Sequence, residues 1–210
     1  MNNENTNGAA VGAAATEGAP AARPLRPSLR FFHANAKGTG CAIKMVLHPA
    51  HDIVDGSVWL TAAQQMTIGN RQGPNPTFPH FDWENAICVK LEFADLCKML
   101  QVFRGECESL ENGKGLVHRT AWATTQITLR HIVDPVQGYS FELYRTRTQG
   151  EEAHAHILFY PWEALGIAEA IAGSMSVISF GIPMVIPHDT SEYKAKNREM
   201  RHADVRSSAA

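Results

Sequence analysis

The hydrophobic pattern of this chain of 210 residues changes twice from strict alternation to helical spacing. Apolar residues alternate with polar ones at 41–48, 58–62 and 87–91, which is the period of half-buried strands. From Phe93 the apolar residues recur every three or four positions, so we expect a helix over 94–104. This pattern constrains the first half of the chain to a group of strands followed by a helix.

The second half of the chain repeats that order. Strand-like runs lie near 114–120, 122–133, 139–148 and 153–159, and a helix is predicted from about Pro161 to Ser176. Proline suits the first turn of a helix because the N–H that it lacks would have no partner there. The whole pattern predicts an α+β fold with two mainly antiparallel sheets, each followed by a helix, whose apolar faces pack together.

The two ends of the chain differ in composition from the middle. Residues 1–29 consist mainly of Asn, Gly, Ala, Glu, Thr and Pro, with almost no large apolar side chain, so we expect a disordered N-terminal tail. Residues 187–210 are rich in charge and are expected to form a flexible C-terminal tail. One folded domain is therefore predicted at 30–186.

The most apolar stretch runs from Leu165 to Ile186 and approaches the length of a membrane span. It contains an acidic residue, Glu169, together with glycines and a proline, and the sequence has no second stretch of this kind. We therefore expect a packed helix followed by a short exit strand, and no membrane partner.

The four cysteines form no C-x-x-C pair, and no secretory leader is recognised ahead of them. They are Cys41, Cys88, Cys97 and Cys107. Disulfides are rare in reducing compartments, so we expect free thiols in a cytoplasmic protein or in an organelle matrix. A domain of this size buries enough surface to be stable without a disulfide or a metal, and no cofactor is expected.

The formal net charge is −2 at neutral pH, with 19 Lys and Arg against 21 Asp and Glu. A protein that grips duplex phosphates is expected to carry an excess of basic residues, so the composition argues against a duplex-DNA binder. Binding to single strands stays open, because it uses base stacking and a local basic groove. Signatures of phosphate loops, dinucleotide sites and serine or zinc hydrolases do not occur, so the protein is not expected to be an enzyme.

Four short segments resemble, in the same order, those of the Whirly single-stranded DNA-binding proteins. Lys37–Ile43 (KGTGCAI) resembles the family's KGKAAL signature, with Thr39 at the second lysine, and Phe81–Glu84 (FDWE) resembles its YDWE segment. Gly115–His118 (GLVH) resembles the family's FFH element, and Phe180–Gly181 resembles the end of its last helix. This order extends over most of the predicted domain.

The resemblance implies a Whirly-like fold of two four-stranded sheets packed crosswise, with the helices forming a stem. It implies four chains about a fourfold axis, and single-stranded DNA along sheet edges between neighbouring subunits. The related kinetoplastid guide-RNA-binding proteins share the fold and use it on RNA. We therefore expect a homo-oligomer, a tetramer by this resemblance, that binds single-stranded DNA or RNA with little sequence specificity in replication, repair, recombination or RNA handling.

The candidate nucleic-acid-binding residues of the first half lie on or beside the outer face of predicted strands. They are Lys37, Thr39, Lys44, Trp59 and Lys90. Lysines at such positions neutralise phosphates, and an exposed tryptophan stacks on a base. The alternative interpretation is a solvated sheet face with one exposed aromatic residue.

The candidate residues of the second half are mainly arginines, since guanidinium groups pair with phosphates and stack on bases. They are Arg130, Tyr144, Arg145 and Arg147. Pairing of these arginines with Glu142 across strands is an equally open alternative.

Three further tryptophans and one histidine are interpreted as structural residues. Trp83 is expected to anchor the loop before the third strand with its ring buried, and Trp122 and Trp162 are given the same role. His118 is expected to be a hydrogen-bonded packing residue.

Two other functions remain as alternatives. His154 and His156 lie on one face of a strand, and with His131 from a neighbouring strand they would supply the three ligands of a zinc hydrolase. No acidic partner is indicated for them. The other alternative is an oligomeric structural module that presents its tails without nucleic-acid affinity, which the slightly negative charge favours.

Overall fold

The structure, a computed structural model, describes residues 28–51, 54–70, 72 and 74–181. The predicted C-terminal tail, the predicted exit strand and residues 1–27 of the predicted N-terminal tail lie outside these ranges. The described part begins in a strand at Ser28, two residues before the domain boundary that the composition predicts.

Sheet 1 is formed by the first half of the chain, and each of its strands pairs antiparallel with the next. The strands are β1 (Ser28–His33), β2 (Cys41–His48), β3 (Ser57–Gln64) and β4 (Ile87–Leu91). The alternating pattern predicts the last three. β1 is missed by that pattern because both of its faces carry aromatic side chains: Phe31 packs edge-on against Phe159, and Phe32 lies against Phe81 on the opposite side.

The second half forms sheet 2, again with its strands in chain order. After α1 (Phe93–Phe103) and one 3-10 turn (Leu110–Gly113) come β5 (Leu116–Arg119), β6 (Ala123–Ile132), β7 (Gly138–Arg147), β8 (Glu152–Phe159) and α2 (Pro161–Phe180). The predicted α+β fold of two antiparallel four-stranded sheets, each followed by a helix, is confirmed. α2 extends beyond its predicted end, to Phe180 instead of Ser176.

The core lies between the sheets and under the helices. Its fully buried members include Ile43 and Leu60 of sheet 1, Phe141 and Leu143 of sheet 2, and Leu96 of α1. Burial of each such side chain contributes about 1.5–3 kcal/mol. β8 contacts three neighbouring strands, β2, β3 and β4, so its direction crosses that of sheet 1.

α2 is, among the described residues, the one helix that is long and apolar enough to cross a membrane by length and composition. One side of it is packed inside the domain, where Ile167, Ile171 and Ile178 are buried. The same helix contacts α1, β2, β7 and β8. The prediction of a packed helix therefore agrees with the contacts of its buried side.

The last turn of α2 is attached to sheet 1 through the backbone. Ala50 N donates to Val177 O at 3.2 Å, and Gly56 N donates to Ile178 O at 3.2 Å. A Cβ at Gly56 would lie 2.4 Å from Ile178 O, so only glycine permits this close approach. The end of α2 is thus fixed to the loop between β2 and β3.

Candidate nucleic-acid interface

The outer face of sheet 1 carries basic and aromatic side chains in adjacent rows. The strand register places Arg30, Lys44, Thr61 and Cys88 in one row, and Val46, Trp59 and Lys90 in the next. Trp59 is 39% exposed and lies directly across from Lys90. Of the predicted residues, Lys44, Trp59 and Lys90 therefore share one surface.

Lys44 is paired with an aromatic ring on this surface. Its Nζ lies 5.6 Å from the ring centroid of Trp83, within the range of a cation–π interaction. Trp83 in turn packs edge-on against Phe32 and remains 38% exposed. The expectation of a buried Trp83 ring is therefore wrong, because the side chain lies on the outside of sheet 1 against Phe32 and Lys44.

Lys37 and Thr39 lie in the turn between β1 and β2, away from Trp59. Asn35 Oδ1 accepts hydrogen bonds from the backbone N–H groups of Lys37 (3.0 Å) and Thr39 (3.1 Å), so one side chain shapes the turn. Both side chains are exposed. The structure therefore separates these two predicted residues from the surface that holds Trp59 and Lys90.

A cleft of about 440 Å³ opens between the edge of sheet 1 and one end of sheet 2. β4 forms one wall, and the turn from β5 to β6 forms the other together with the end of β7. Its aromatic and basic side chains are Trp59, Lys90, His118, Arg119, Trp122, Arg145 and Arg147. Four predicted residues, Trp59, Lys90, Arg145 and Arg147, are thus brought together from distant parts of the sequence.

Trp122 lies at the tip of the turn between β5 and β6 and is 80% exposed. Thr120 Oγ1 accepts hydrogen bonds from the backbone N–H groups of Trp122 (3.3 Å) and Ala123 (3.1 Å), so the turn is held in shape by its own threonine. The expectation of a structural Trp122 is therefore wrong. In so short a turn, the tryptophan side chain is not covered by a helix or a sheet.

Arg145 connects the two walls of the cleft. Its Nη2 donates to the backbone oxygen of Cys88 in β4, and its Nε donates to Thr125 Oγ1 at 3.3 Å in sheet 2. Burial lowers the pKa of the Arg145 guanidinium from its ordinary value, but arginine remains charged at neutral pH. Arg145 therefore joins the sheets, and its charge also faces the cleft.

Two cations of the cleft have acidic neighbours. Arg147 pairs with Glu151 at 2.7 Å, and Lys90 pairs with Glu92 at 3.3 Å. All four side chains are substantially exposed, so these pairs are weak and their partners can be exchanged. Arg119, which the sequence reasoning did not select, also lines the cleft and is exposed.

Tyr144 and Arg130 lie on the other face of sheet 2 from Arg145 and Arg147. Successive side chains of β7 point to opposite faces, so Tyr144 lies on the outer face and the two arginines lie on the inner face. Arg130 pairs in register with Ser140, which is also on the outer face. A hydrogen bond to Glu152 raises the pKa of Tyr144 from its ordinary value. The structure therefore does not bring these two predicted residues to the cleft.

The three histidines of the hydrolase alternative do not converge. His154 and His156 lie on the outer face of sheet 2, where they contact Glu142 (3.4 Å) and Ser140 (3.2 Å). His131 lies on the inner face, and its ring is 4.9 Å from that of Tyr139. Within the ranges that the structure describes, no group of three or more His, Cys, Asp or Glu side chains is arranged to hold a metal ion.

His118 contacts Asp95 in the first turn of α1, with 3.3 Å between Nε2 and Oδ2. Asp95 also accepts a hydrogen bond from the backbone N–H of Glu92, the residue that caps the start of α1. His118 therefore has the packing role expected for it, and it also lines the cleft.

No protein-family model matches this chain, and no curated protein matches it in sequence. Solved structures of Whirly proteins do match its fold. WHY1 from Arabidopsis thaliana superposes with a TM-score of 0.59 at 12% identity, over 87% of this chain and 95% of that chain. The plant transcriptional regulator PBF-2 gives 0.58 at 13% identity (74% and 84%), and WHY3 from Arabidopsis thaliana gives 0.58 at 11% (74% and 90%). The chain therefore has a Whirly-like fold, as the sequence motifs predict.

Proposed function

We propose that this chain, whose fold is Whirly-like, binds single-stranded DNA or RNA without catalysing a reaction. The observation that carries the proposal is the cleft between the sheets, which places the exposed rings of Trp59 and Trp122 beside Lys90, Arg119 and Arg147. Single-strand binding uses this combination, because aromatic rings stack on unpaired bases while nearby cations neutralise phosphates. The resemblance of the sequence to the Whirly family supports the same function.

The shape and charge of the cleft favour single strands over duplexes. A volume of about 440 Å³ accommodates individual bases, whereas a duplex keeps its bases stacked inside and presents phosphates. The overall charge of −2 gives little attraction for a duplex backbone. Stacking tolerates every base, so we expect little sequence preference.

We further propose that the protein acts as a homo-oligomer, a tetramer by the resemblance. The side of α2 turned away from the core exposes large apolar residues, with Leu165 and Phe180 among them. Such a face on a helix is stabilised when a second helix covers it.

The exposed thiols of Cys88 and Cys107 also suit a reducing compartment such as the cytoplasm.

The second candidate is an oligomeric module without nucleic-acid affinity. The acidic partners of Lys90 and Arg147 favour it, because each neutralises a cation that phosphate binding requires. The two candidates differ in one measurable property, which is the affinity for single strands at low salt.

Fluorescence anisotropy with labelled single-stranded and duplex oligonucleotides, of both DNA and RNA, tests the proposal across a salt series. We expect single strands to bind more tightly, and Trp122→Ala to weaken binding roughly 5- to 150-fold, since stacking of one base contributes about 1–3 kcal/mol. Lys90→Ala is expected to reduce the slope of log affinity against log salt by about 0.7, as expected for one lost phosphate contact on a single strand.

Matched controls are available outside the cleft. Phe78 is an exposed aromatic residue in the loop between β3 and β4, and Arg104 is an exposed cation at the end of α1. Phe78→Ala and Arg104→Ala should leave affinity unchanged. If wild-type protein binds no single strand even at low salt, the assembly module becomes the better description.

A further inference from the structure

A second pocket, of about 630 Å³, lies at the opposite end of β8 from the cleft. It forms where β1 ends, β2 begins and the chain turns from β8 into α2. The proposed function makes no use of this pocket. Its walls include Thr39, one of the residues that the resemblance to the Whirly family selects.

Three exposed aromatic side chains surround this pocket, which we call the β8-end pocket. Tyr160 and Trp162 have nearly parallel rings, with 14° between their planes and 6.3 Å between centroids. Trp162 is 69% exposed, and Phe32 is exposed on the facing wall. The expectation of a structural Trp162 is therefore wrong. Aromatic faces left open around one cavity are the feature on which planar heterocycles stack.

A partly buried contact between His33 and Glu163 fixes the wall of the pocket. His33 Nε2 lies 2.8 Å from Glu163 Oε1, and the Glu163 side chain is 5% exposed. Glu163 Oε2 accepts a hydrogen bond from the backbone N–H of Tyr160 at 2.9 Å, and the ring of His33 lies 5.4 Å from that of Tyr160. The Glu163 carboxylate thus holds His33 and Tyr160 in place, so a ligand would meet a preorganised surface.

The polar groups of the pocket suit a base better than a phosphate. None of the described residues that line it is lysine or arginine, and the one charged carboxylate, Glu163, repels anions. Thr39 and His156 offer hydrogen-bonding groups at its rim. Lys37 is exposed on the same β1–β2 turn, outside the pocket, where it can meet a phosphate that follows the bound base.

We propose that the β8-end pocket binds a nucleobase of the same single strand whose other bases occupy the cleft. The proposal rests on the proposed function and extends it to a second subsite. β8 links the two sites: Ala153 pairs with Arg145 of the cleft, and Tyr160 follows the other end of the strand. Its eight residues span about 25 Å at ~3.3 Å per residue, so only a strand long enough to cover that distance reaches both sites.

A length series of single-stranded oligonucleotides, from about 4 to about 20 nucleotides, tests the proposal with Trp162→Ala. We expect the variant to match wild type on the shortest strands, which occupy the cleft alone, and to lose roughly fivefold or more in affinity on the longest. Trp122→Ala should lose affinity at every length. Phe78→Ala, which removes an exposed ring elsewhere, should behave as wild type.

Two further measurements keep the result interpretable. Trp162 lies on α2, so the oligomeric mass of each variant is measured by light scattering. Phe32→Leu serves as a second pocket variant, because it removes an aromatic ring from β1 and leaves α2 unchanged. Photocrosslinking with strands that contain 5-iodouracil should place crosslinks on peptides that contain Tyr160 or Trp162 as well as on the cleft. Wild-type binding with crosslinks confined to the cleft, and with both pocket variants unchanged at all lengths, would overturn the second subsite alone. Absence of wild-type binding would overturn the proposed function with it.

Discussion

Arg145 shows how one side chain sets the geometry of the candidate site. Its guanidinium group donates to Cys88 O of sheet 1 and to Thr125 of sheet 2, so the two walls of the cleft share a hydrogen-bond donor. Arg147, two positions along β7, instead forms an exposed pair with Glu151. The two arginines therefore differ in role although they lie on the same side of the strand.

Arg145→Ala is expected to lower the free energy of unfolding by roughly 1.5–3 kcal/mol, because hydrogen bonds from a charged donor are lost between the sheets. Arg147→Ala is expected to lower it by less than about 1 kcal/mol, since an exposed ion pair contributes little. Urea denaturation followed by circular dichroism compares the two variants. Equal losses would contradict a structural role for Arg145.

Cys41 is expected to be inert in the native protein. Burial raises the pKa of its thiol to about 12, so the reactive thiolate is nearly absent near pH 8. Iodoacetamide treatment followed by mass spectrometry should modify the exposed Cys88 and Cys107 and leave Cys41 unmodified until denaturant is added. Native-state labelling of Cys41 would mean that sheet 1 opens more readily than its packing indicates.

Glu163 stabilises the start of α2 through two contacts. The carboxylate accepts the Tyr160 backbone N–H and pairs with His33, so it joins the helix to the end of β1. Glu163→Ala is expected to reduce the free energy of unfolding by about 3 kcal/mol, because the helix cap and the hydrogen bond with His33 are lost together. Glu163→Gln, which preserves the shape and an acceptor oxygen, should cost less in the same urea experiment. Equal losses in the two variants would contradict the capping role.

Individual strands could be predicted from the sequence wherever one face of the strand is polar. Residues 87–91 satisfy this condition, whereas β1 carries Phe31 on one face and Phe32 on the other, so its alternation is hidden. Successive side chains of a strand point to opposite faces, so the sequence of β7 alone places Tyr144 and Arg145 on opposite faces of sheet 2. Proximity along a strand is therefore a poor guide to a shared surface.

The cleft itself could not be predicted from local patterns. Trp59 and Trp122 both line it because the sheets pack with their edges adjacent, which is a property of the assembled core. The exposure of Trp122 did have a local signal, since the residue occupies a short turn between two strands. The motifs predicted the Whirly-like fold correctly because they mark the order of the elements, which the comparison with solved structures confirms.

At the scale of the whole molecule, the outer side of α2 provides a test of assembly. Outside the backbone of its own helix, a Cβ at Gly173 would meet no atom of the described residues within 4 Å, so alanine there should raise helix stability by roughly 0.5–1 kcal/mol in a monomer. Gly173→Leu would place a larger side chain at any contact between α2 helices. We expect light scattering to show a lower mass for Gly173→Leu than for wild type. An unchanged mass would exclude this face of α2 from the interface.

Sheet 1 is attached to the rest of the domain by different kinds of hydrogen bond at two places. At one end, the backbone of Ala50 and Gly56 is bonded to the last turn of α2, and at the other the sheets meet through the side chains of Arg145 and Gln64. Side-chain links lengthen or exchange partners more easily than paired backbone groups. Loss of the Arg145 or Gln64 side chain should therefore loosen the contact between the sheets beside the cleft, while the backbone bonds to α2 stay in place.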